Sequence, residues 1–264
     1  MADDDRKFFN DGAAYEQLMG RWSRRAGALF LDWLAVGKGM RWLDVGCGNG
    51  AFTEVMIAKA APGEVRGIDP SEAQIDYARG RAESKPAEFQ VGDAEALPFA
   101  DAAFDVAVMA LVITFVPNPG KAVGEMVRVV KPGGLVATYM WDILGGAFPL
   151  EPMRAGLLAI GIDAPRSPGA EVSQKAELNR LWTEAGLEAV ETREIAIEVA
   201  FRDFDEFWDS NMALATPIVQ KVRALSPADL ERLKAILRQR LLKGADGRIS
   251  FPARANAVKG RVPQ

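Results

Sequence analysis

The chain has 264 residues, of which 49% are hydrophobic and 26% are charged, a composition typical of a globular protein that buries a sizeable core. Its formal net charge of −4 supplies no excess of cations for a phosphate backbone, which argues against a nucleic-acid partner. The sequence contains no histidine, so both the commonest general base and the commonest metal ligand are missing, and we expect no metal site.

The sequence also predicts where the protein resides. The first residues, MADDDRKFF, are acidic and no apolar segment follows them, unlike a secretory signal. The longest apolar run, from Val106 to Pro117, is too short to cross a bilayer, so we expect no membrane span. The only cysteine, Cys47, cannot form an intrachain disulfide, which fits a reducing compartment. We therefore expect a cytoplasmic protein, and the sequence does not indicate its oligomeric state.

Predicted helices and strands alternate along the chain. Apolar residues at near-helical spacing behind Asn10 and Asp11 indicate an amphipathic helix over 13–34. Apolar runs predict strands at Arg41–Val45, Glu64–Asp69, 88–91, Phe104–Ala110, 135–139, 191–201 and 248–262. Helical composition and capping residues, including a capping box of Ser71 and Gln74, predict helices at Ala51–Ala60, 71–84, 118–131 and 173–185. This alternation is typical of a parallel sheet with right-handed crossovers.

Two segments interrupt the alternation. Residues 142–172 are rich in Gly and Pro and contain one apolar stretch, 153–160, that is typical of a short helix. Residues 202–245 form a second, helical insertion, in which Ser226 begins a leucine-containing helix. We expect one domain whose core covers 35–141, 173–201 and 246–264, and whose helical cap comprises 1–34, 142–172 and 202–245.

A glycine-rich loop connects the first predicted strand to the helix that follows. The segment LDVGCGNG places Gly46, Gly48 and Gly50 at alternate positions. Glycine permits sharp turns and close approach of a ligand, and the start of a helix offers unpaired amide donors. In this strand-loop-helix context the pattern predicts a nucleotide-type site rather than a structural turn alone.

Two cofactor classes compete for this loop. Gly46, Gly48 and Ala51 satisfy the looser G-x-G-x-x-G/A pattern of dinucleotide-dependent oxidoreductases. Asp44 argues against that class, because a carboxylate would repel a pyrophosphate but attract the ammonium and sulfonium of S-adenosylmethionine. Asp69, at the end of the second strand, suits the ribose hydroxyls of either cofactor, or the N-cap of the next helix.

The ordered motifs LDVGCGNG, GIDPS, GDAEALPF, FDVAVMALVITFVPNP and KPGG cover about residues 40–140. In this respect the sequence resembles the class I methyltransferases that use S-adenosylmethionine, particularly the ubiquinone and menaquinone C-methyltransferase branch. Together with the predicted elements, the resemblance implies an α/β fold with a doubly wound, mostly parallel, seven-stranded Rossmann-like sheet. Its final strand would be antiparallel, and a helical cap would cover it.

The resemblance also implies which residues bind the cofactor. They are Asp44 at the amino group, Gly46, Cys47 and Gly48 along the methionine and ribose, Asp69 at the ribose, Gln74 beside the adenine, Asp93 and Ala94 at the adenine edge, and Leu111 under the methionine. The segment YEQLMGRWS resembles a helix that closes over the cofactor, which implies that Tyr15 and Arg21 reach its carboxylate. Two alternatives stay open: Asp93 as a turn residue after Gly92, and Arg21 on a solvated helix face.

We expect the protein to transfer a methyl group from S-adenosylmethionine to a small-molecule acceptor and to release S-adenosylhomocysteine. The sequence does not decide between oxygen, nitrogen and carbon acceptors. The alternatives are a non-catalytic module that binds S-adenosylmethionine and, less favoured, a dinucleotide-dependent oxidoreductase. Many relatives have histidine after the fourth strand, where this chain has Leu111-Val112-Ile113-Thr114-Phe115, so no role of that histidine is transferred.

The residues that would contact the methyl acceptor are predicted from their position in the chain. Thr114, Trp141 and Phe148 are the candidate substrate contacts, and 142–172 would act with the N-terminal helix as a lid hinged at Gly145-Gly146. Methyl transfer is a direct displacement on an activated sulfonium, so alignment and water exclusion supply most of the acceleration. If the acceptor needs deprotonation, Tyr139 and Asp142 at the end of the fifth strand are the candidate bases.

Overall fold

The structure is a computed structural model that describes residues 19–264 except positions 82, 85, 168, 214, 215, 242 and 245. Its helices are α1 Arg21–Leu34, α2 Ala51–Ala60, α3 Glu72–Gly80, α4 Pro119–Val129, α5 Glu151–Ala159, α6 Lys175–Glu184, α7 Phe204–Ala213, α8 Pro217–Arg223 and α9 Pro227–Arg240. Its strands are β1 Arg41–Val45, β2 Glu64–Asp69, β3 Ala87–Val91, β4 Phe104–Ala110, β5 Val130–Trp141, β6 Glu188–Phe201 and β7 Ile249–Arg261. Two 3₁₀ turns, Ile113–Phe115 and Ala170–Ser173, follow β4 and precede α6.

The seven strands form one sheet in the order β3-β2-β1-β4-β5-β7-β6. Strands β1 to β5 pair in parallel, and β7 is antiparallel to both β5 and β6. The predicted fold is confirmed: a doubly wound, mostly parallel, seven-stranded sheet whose final strand is antiparallel. The central strand β4 is buried along most of its length, as expected for a parallel strand covered on both faces.

Several helices begin with side-chain N-cap hydrogen bonds at the residues that the sequence predicts. Asn118 Oδ1 accepts from Lys121 N at 3.0 Å, and Ser226 Oγ accepts from Asp229 N at 3.1 Å. At α3, Ser71 Oγ accepts from Gln74 N at 3.4 Å, which is one half of the predicted capping box. The other half is wrong, because Ser71 N donates to Asp69 Oδ1 at 2.9 Å rather than to the side chain of Gln74.

Several elements differ from the prediction, and three differences are larger than the shifts of a few residues at other element ends. Helix α3 ends at Gly80 instead of 84, because Arg81 is extended and Ser84 Oγ donates to Ala78 O at 2.8 Å. Strand β5 begins at Val130 and passes through Pro132-Gly133-Gly134, where its register with β4 shifts. The insertion after β6 contains three helices, α7 to α9, rather than one recognisable helix.

The helices of the two insertions pack on each other, and α1 lies against the sheet. A Cβ added to Gly156 of α5 would lie 2.8 Å from Leu233 on α9, so these two helices approach closely. Helix α1 packs beside α2 and β5 through the rings of Phe30, Phe52 and Tyr139, with centroids 4.6 to 6.2 Å apart. No helix in the described part of the chain is long and apolar enough to cross a membrane.

Candidate cofactor site

The candidate site lies at the carboxyl ends of β1, β2 and β4. The chain runs outward through β2 and β3 on one side of β1, and β4 begins the other side. In open α/β sheets, such a reversal of strand order leaves a crevice at the carboxyl ends of the strands. The glycine loop, Asp69 and Leu111 all follow or end these strands.

The glycine loop has an open side. Gly46, Gly48 and Gly50 have φ values of 73°, 50° and 80°, a region that glycine adopts without strain. A Cβ at Gly46 would lie 2.6 Å from Val112 Cγ1, so this position is closed by packing. A Cβ at Gly48 would meet no atom within 4 Å, so the backbone here is free to approach a ligand.

Asp44 presents a buried carboxylate oxygen that has no partner among the described residues. Its Oδ2 accepts from Thr53 Oγ1 at 2.6 Å, whereas Oδ1 receives no hydrogen bond. Burial raises the pKa of Asp44 to about 7; the bond from Thr53 opposes this increase, and the charge of Asp69 adds to it. A cationic donor at Oδ1 would satisfy the carboxylate and favour its charged form.

Asp69 organises the loop through both carboxylate oxygens. Oδ2 accepts from Gly48 N at 3.0 Å, and Oδ1 accepts from Ser71 N at 2.9 Å. Burial raises the pKa of Asp69, while these two backbone bonds act in the opposite direction. Each carboxylate oxygen has a second lone pair, so Asp69 retains acceptor capacity for hydroxyl groups.

Gln74 and Cys47 occupy different environments. Gln74 is buried and its Oε1 accepts no hydrogen bond from any residue that the structure describes, so an acceptor is available at the start of α3. The Cys47 side chain packs with Ile75, Ala78 and Phe89. Burial raises the pKa of the Cys47 thiol well above its usual range, and the neutral thiol donates to Gly48 O at 3.9 Å.

Leu111 follows β4 in a strained conformation. Its φ is 61°, which a bulky residue rarely adopts, and its N–H donates to Tyr139 O at 2.9 Å. The side chain is buried beside the candidate crevice. Strain of this kind clusters at functional positions in proteins, because surrounding contacts must hold it.

Asp93 and Ala94 follow β3 in a turn. Asp93 is exposed, and its Oδ1 accepts from Glu95 N at 2.9 Å. The Asp93 carbonyl accepts from Ala96 N at 3.1 Å, which closes the turn that the alternative interpretation predicts. Ala94 is half-buried against the core. Their contact with an adenine stays a prediction.

The N-terminal candidates are only partly described. Arg21 begins α1 and its guanidinium pairs with Glu206 at 3.1 Å. The same group lies 4.2 Å from the centroid of Trp22 and 4.9 Å from that of Phe201. Arg21 therefore connects α1 to α7 and to the end of β6 in this structure, and Tyr15 lies outside the described residues.

The candidate substrate contacts are mostly buried. Thr114 Oγ1 donates to Met140 Sδ at 3.7 Å, and Trp141 lies within β5 opposite Ala255 of β7. Phe148 is half-buried against the core. Their contact with an acceptor stays a prediction, and the burial of Thr114 and Trp141 is also typical of core residues.

The two candidate bases already have structural partners. Tyr139 is buried among aromatic rings. Asp142 accepts from Gly145 N at 3.0 Å and from Arg254 Nε at 3.1 Å, and a Cβ on Gly145 would collide with its carboxylate. These bonds hold the turn after β5 closed and oppose a hinge at Gly145-Gly146.

Two residues that shape the site do not stand out in the sequence. Thr53 donates to Asp44, and Val112 closes the loop at Gly46. The Thr53 contact joins the consecutive elements β1 and α2, whereas the Val112 contact joins segments that are far apart along the chain. A lone threonine in a helix or a valine after a strand has no distinguishing pattern.

Residues 43–138 match the family described as Methyltransferase domain. The chain is 38% identical over 108 residues to the ubiquinone/menaquinone biosynthesis C-methyltransferase UbiE of Roseobacter denitrificans, a match that covers 39% of this chain and 43% of that protein. The chain spans less than half the length of the curated relatives that it matches.

Solved structures share the fold at low sequence identity. A chain from the Haloferax volcanii complex of the Trm112 methyltransferase activator is 19% identical, with a TM-score of 0.64 and full coverage of both chains. Haemonchus contortus phosphoethanolamine N-methyltransferase 2, solved with S-adenosyl-L-methionine, is 18% identical with a TM-score of 0.57, over 95% of this chain and 56% of that one. Residues 43–138 thus resemble a methyltransferase domain, and the chain shares its fold with solved methyltransferase structures.

Proposed function

We propose that the protein transfers a methyl group from S-adenosylmethionine to a small-molecule acceptor. The observation that carries this proposal is the buried Oδ1 of Asp44, which has no partner among the described residues, at the end of the strand that leads into the open glycine loop at Gly48. An acidic group at this position favours a cationic cofactor over one that carries a pyrophosphate. Asp69 and Gln74 add acceptors at the same end of the sheet, as a ligand with hydroxyl and amine donors requires.

The residues of this chain would bind and orient the cofactor rather than react with it. Asp44 would hold the amino group, Asp69 the ribose hydroxyls, and the backbone at Gly48 would lie against the ligand. When bound, S-adenosylmethionine supplies a methyl group on a sulfonium that needs no further activation. Alignment of the acceptor and exclusion of water then account for the acceleration. The engaged carboxylate of Asp142 supports this account over catalysis by that side chain as a general base.

Ligand binding tests the cofactor class. S-adenosylhomocysteine at about 100 times its dissociation constant should stabilise the folded protein by about 2.7 kcal/mol in thermal unfolding, and NAD and FAD should not stabilise it. Equal stabilisation by NAD would favour the oxidoreductase alternative.

A matched pair of glycine variants locates the binding site. Gly48→Ala and Gly39→Ala both place a Cβ on a residue with positive φ where no atom lies within 4 Å, so both should cost similar stability. Only Gly48→Ala should weaken S-adenosylhomocysteine binding in calorimetry. Equal binding by both variants would place the ligand elsewhere.

Transfer of label tests the acceptor class. With methyl-labelled S-adenosylmethionine and a cell extract separated by size, we expect the label in the small-molecule fraction. Label in RNA or protein would overturn the small-molecule acceptor. Binding of S-adenosylhomocysteine without transfer to any fraction would favour a non-catalytic binding module.

A further inference from the structure

A long loop between β3 and β4 borders the candidate crevice. Residues 92–103 contain no helix or extended strand, and the loop begins with Gly92 N donating to Asp69 O at 3.1 Å. The loop therefore extends the wall of the crevice outward from Asp69, on the side away from Asp44. A ligand whose ribose lies at Asp69 and whose charged end lies at Asp44 directs its base toward this loop.

Arg128 of α4 donates five hydrogen bonds through all five of its N–H groups. Three of them go to this loop, and two go to Glu125 on the same helix. Nε and Nη2 each donate to Glu125 at 2.8 Å, in a bidentate pair. Nη2 also donates to Leu97 O at 2.9 Å, and Nη1 donates to Phe99 O and to Asp101 Oδ1, both at 2.8 Å. One side chain thus holds two loop carbonyls and one loop carboxylate.

Glu125 and the backbone of α4 complete these contacts. Glu125 Oε2 accepts from Leu97 N at 2.8 Å, so Leu97 is bonded through both its N–H and its carbonyl. The backbone carbonyl of Arg128 accepts from Ala102 N at 3.0 Å. At the other end of the helix, Asn118 N donates to Glu95 at 2.9 Å. The bond from Arg128 is the largest cause that lowers the pKa of Glu125, which keeps this carboxylate charged.

We propose that Arg128, oriented by Glu125, is a positioning residue that fixes the 92–103 loop in the shape that binds the adenosine half of the cofactor. The inference rests on the proposed function, because it requires the crevice to hold an adenosine-containing ligand. An irregular loop of this length would otherwise lose conformational entropy when the ligand binds. Fixing it in advance removes that cost from the binding free energy.

The test compares two Arg→Lys variants. Arg128→Lys keeps the positive charge but loses the planar fork that reaches several acceptors at once. Arg180→Lys is the matched control, because Arg180 pairs with Glu177 three residues earlier on α6, as Arg128 does with Glu125, and its partners are side chains of its own helix. Calorimetry with S-adenosylhomocysteine and with adenosine, together with hydrogen exchange of the loop amides, supplies the readout.

For Arg128→Lys, both dissociation constants should rise by the same factor, about tenfold, because adenosine and S-adenosylhomocysteine share the half that the loop contacts. The Leu97 and Ala102 amides should exchange faster, and the control should match wild type in both measurements. If Arg128→Lys fails to fold, Glu125→Gln, which preserves the shape of the side chain, should show a smaller loss in the same direction.

Unchanged affinity for adenosine in a folded Arg128 or Glu125 variant would overturn the proposal. An equal loss in Arg180→Lys would also overturn it, because the effect would then not depend on the loop. If wild-type protein binds neither ligand, the proposed function itself fails. A purely structural role would lower the unfolding temperature without changing the affinity of the folded protein.

Discussion

The carboxylate of Asp44 couples cofactor binding to pH. Its pKa in the ligand-free protein is raised to about 7, chiefly by burial, so near neutral pH the charged and neutral forms coexist. A ligand ammonium group at Oδ1 interacts favourably with the charged form only. Binding should therefore tighten as pH rises and the carboxyl group loses its proton.

We predict that the affinity for S-adenosylhomocysteine increases between pH 5.5 and 8 in the wild-type protein. Asp44→Asn should bind more weakly and lose the step near pH 7, because the amide does not ionise in this range. Calorimetric titrations at several pH values check this result. A step of the same size in the variant would show that another group controls the pH dependence.

The same residue should lower the stability of the ligand-free protein at alkaline pH. Because the folded-state pKa lies above the ordinary value of 3.8, the stabilising contribution is complete below about pH 4 and is lost as pH rises to about 7. Asp44→Asn should then exceed wild type in free energy of unfolding by on the order of a few kcal/mol at pH 8, but not at pH 4. Urea unfolding at both pH values measures the difference, and a pH-independent difference would contradict the assignment.

The role of some site residues can be predicted from the sequence, whereas the role of others cannot. Asp44, Gly48 and Asp69 stand at the ends of strands in short contiguous motifs, so their type and position predict their surroundings. Thr53, Arg128 and Glu125 act through bonds to other elements, and each resembles an ordinary helix residue in the sequence. A salt bridge three residues apart on a helix is common and does not predict that it also holds a loop.

Among the secondary-structure elements, β1, α2, β2 and β4 have the bounds that the sequence predicts. Glycine, proline or capping residues lie near the ends of β1, α2 and β2, whereas the apolar run itself defines β4. The sequence does not predict the short helices α7 and α8 as separate elements. Helices of 7 to 10 residues contain too few turns for a clear apolar period.

The carboxyl end of α2 offers a test of backbone strain. Ala61, its C-cap residue, has a φ of 44°, is exposed and precedes Pro62, which restricts it further. Ala61→Gly should stabilise the protein by about 0.5–1 kcal/mol, because glycine adopts this conformation without strain. The exposed Ala58, inside the same helix, is the control: Ala58→Gly should cost about 1 kcal/mol. Opposite signs in urea unfolding are expected, and two losses would contradict the strain argument.

At the scale of the whole molecule, one ion pair connects strand β7 with the segment that follows β5. Asp142 pairs with Arg254, Asp142 N donates to Arg254 O at 2.9 Å, and Arg254 N donates to Ala147 O at 2.8 Å. Any lid movement of 142–172 must therefore begin beyond Ala147. The prediction of a lid remains, but its hinge has to lie further along the segment.

We predict that Arg254→Met destabilises the protein by about 2–4 kcal/mol, because it leaves the buried Asp142 carboxylate without its cation. Lys175→Met is the matched control, since Lys175 and Arg254 both pair with Glu194, but the Lys175 pair is exposed on both sides. The control should cost less than about 1 kcal/mol. Similar losses for both variants in urea unfolding would show that the Asp142 contact contributes little.

Alternation of helices and strands predicts the parallel half of the sheet, but it does not give the strand order at the antiparallel end. In that order, β7 lies between β5 and β6, and the hydrogen bonds of β6 within the sheet are made with β7. The decisive pairing joins strands separated by the α7–α9 insertion. The hydrophobic periodicity within a strand does not indicate which other strand pairs with it in the sheet.

This strand order has a consequence for synthesis on the ribosome. β6 is made before β7, yet it has no place in the sheet until β7 pairs with β5. The 14-residue β6 and the hydrogen-bonding edge of β5 must therefore stay accessible while the helical insertion is being made, a period in which chaperones or neighbouring chains can bind them. Chains truncated at residue 245 should leave β6 unprotected in hydrogen exchange while β1 to β4 remain protected, and protection of β6 in such chains would show that it docks by another route.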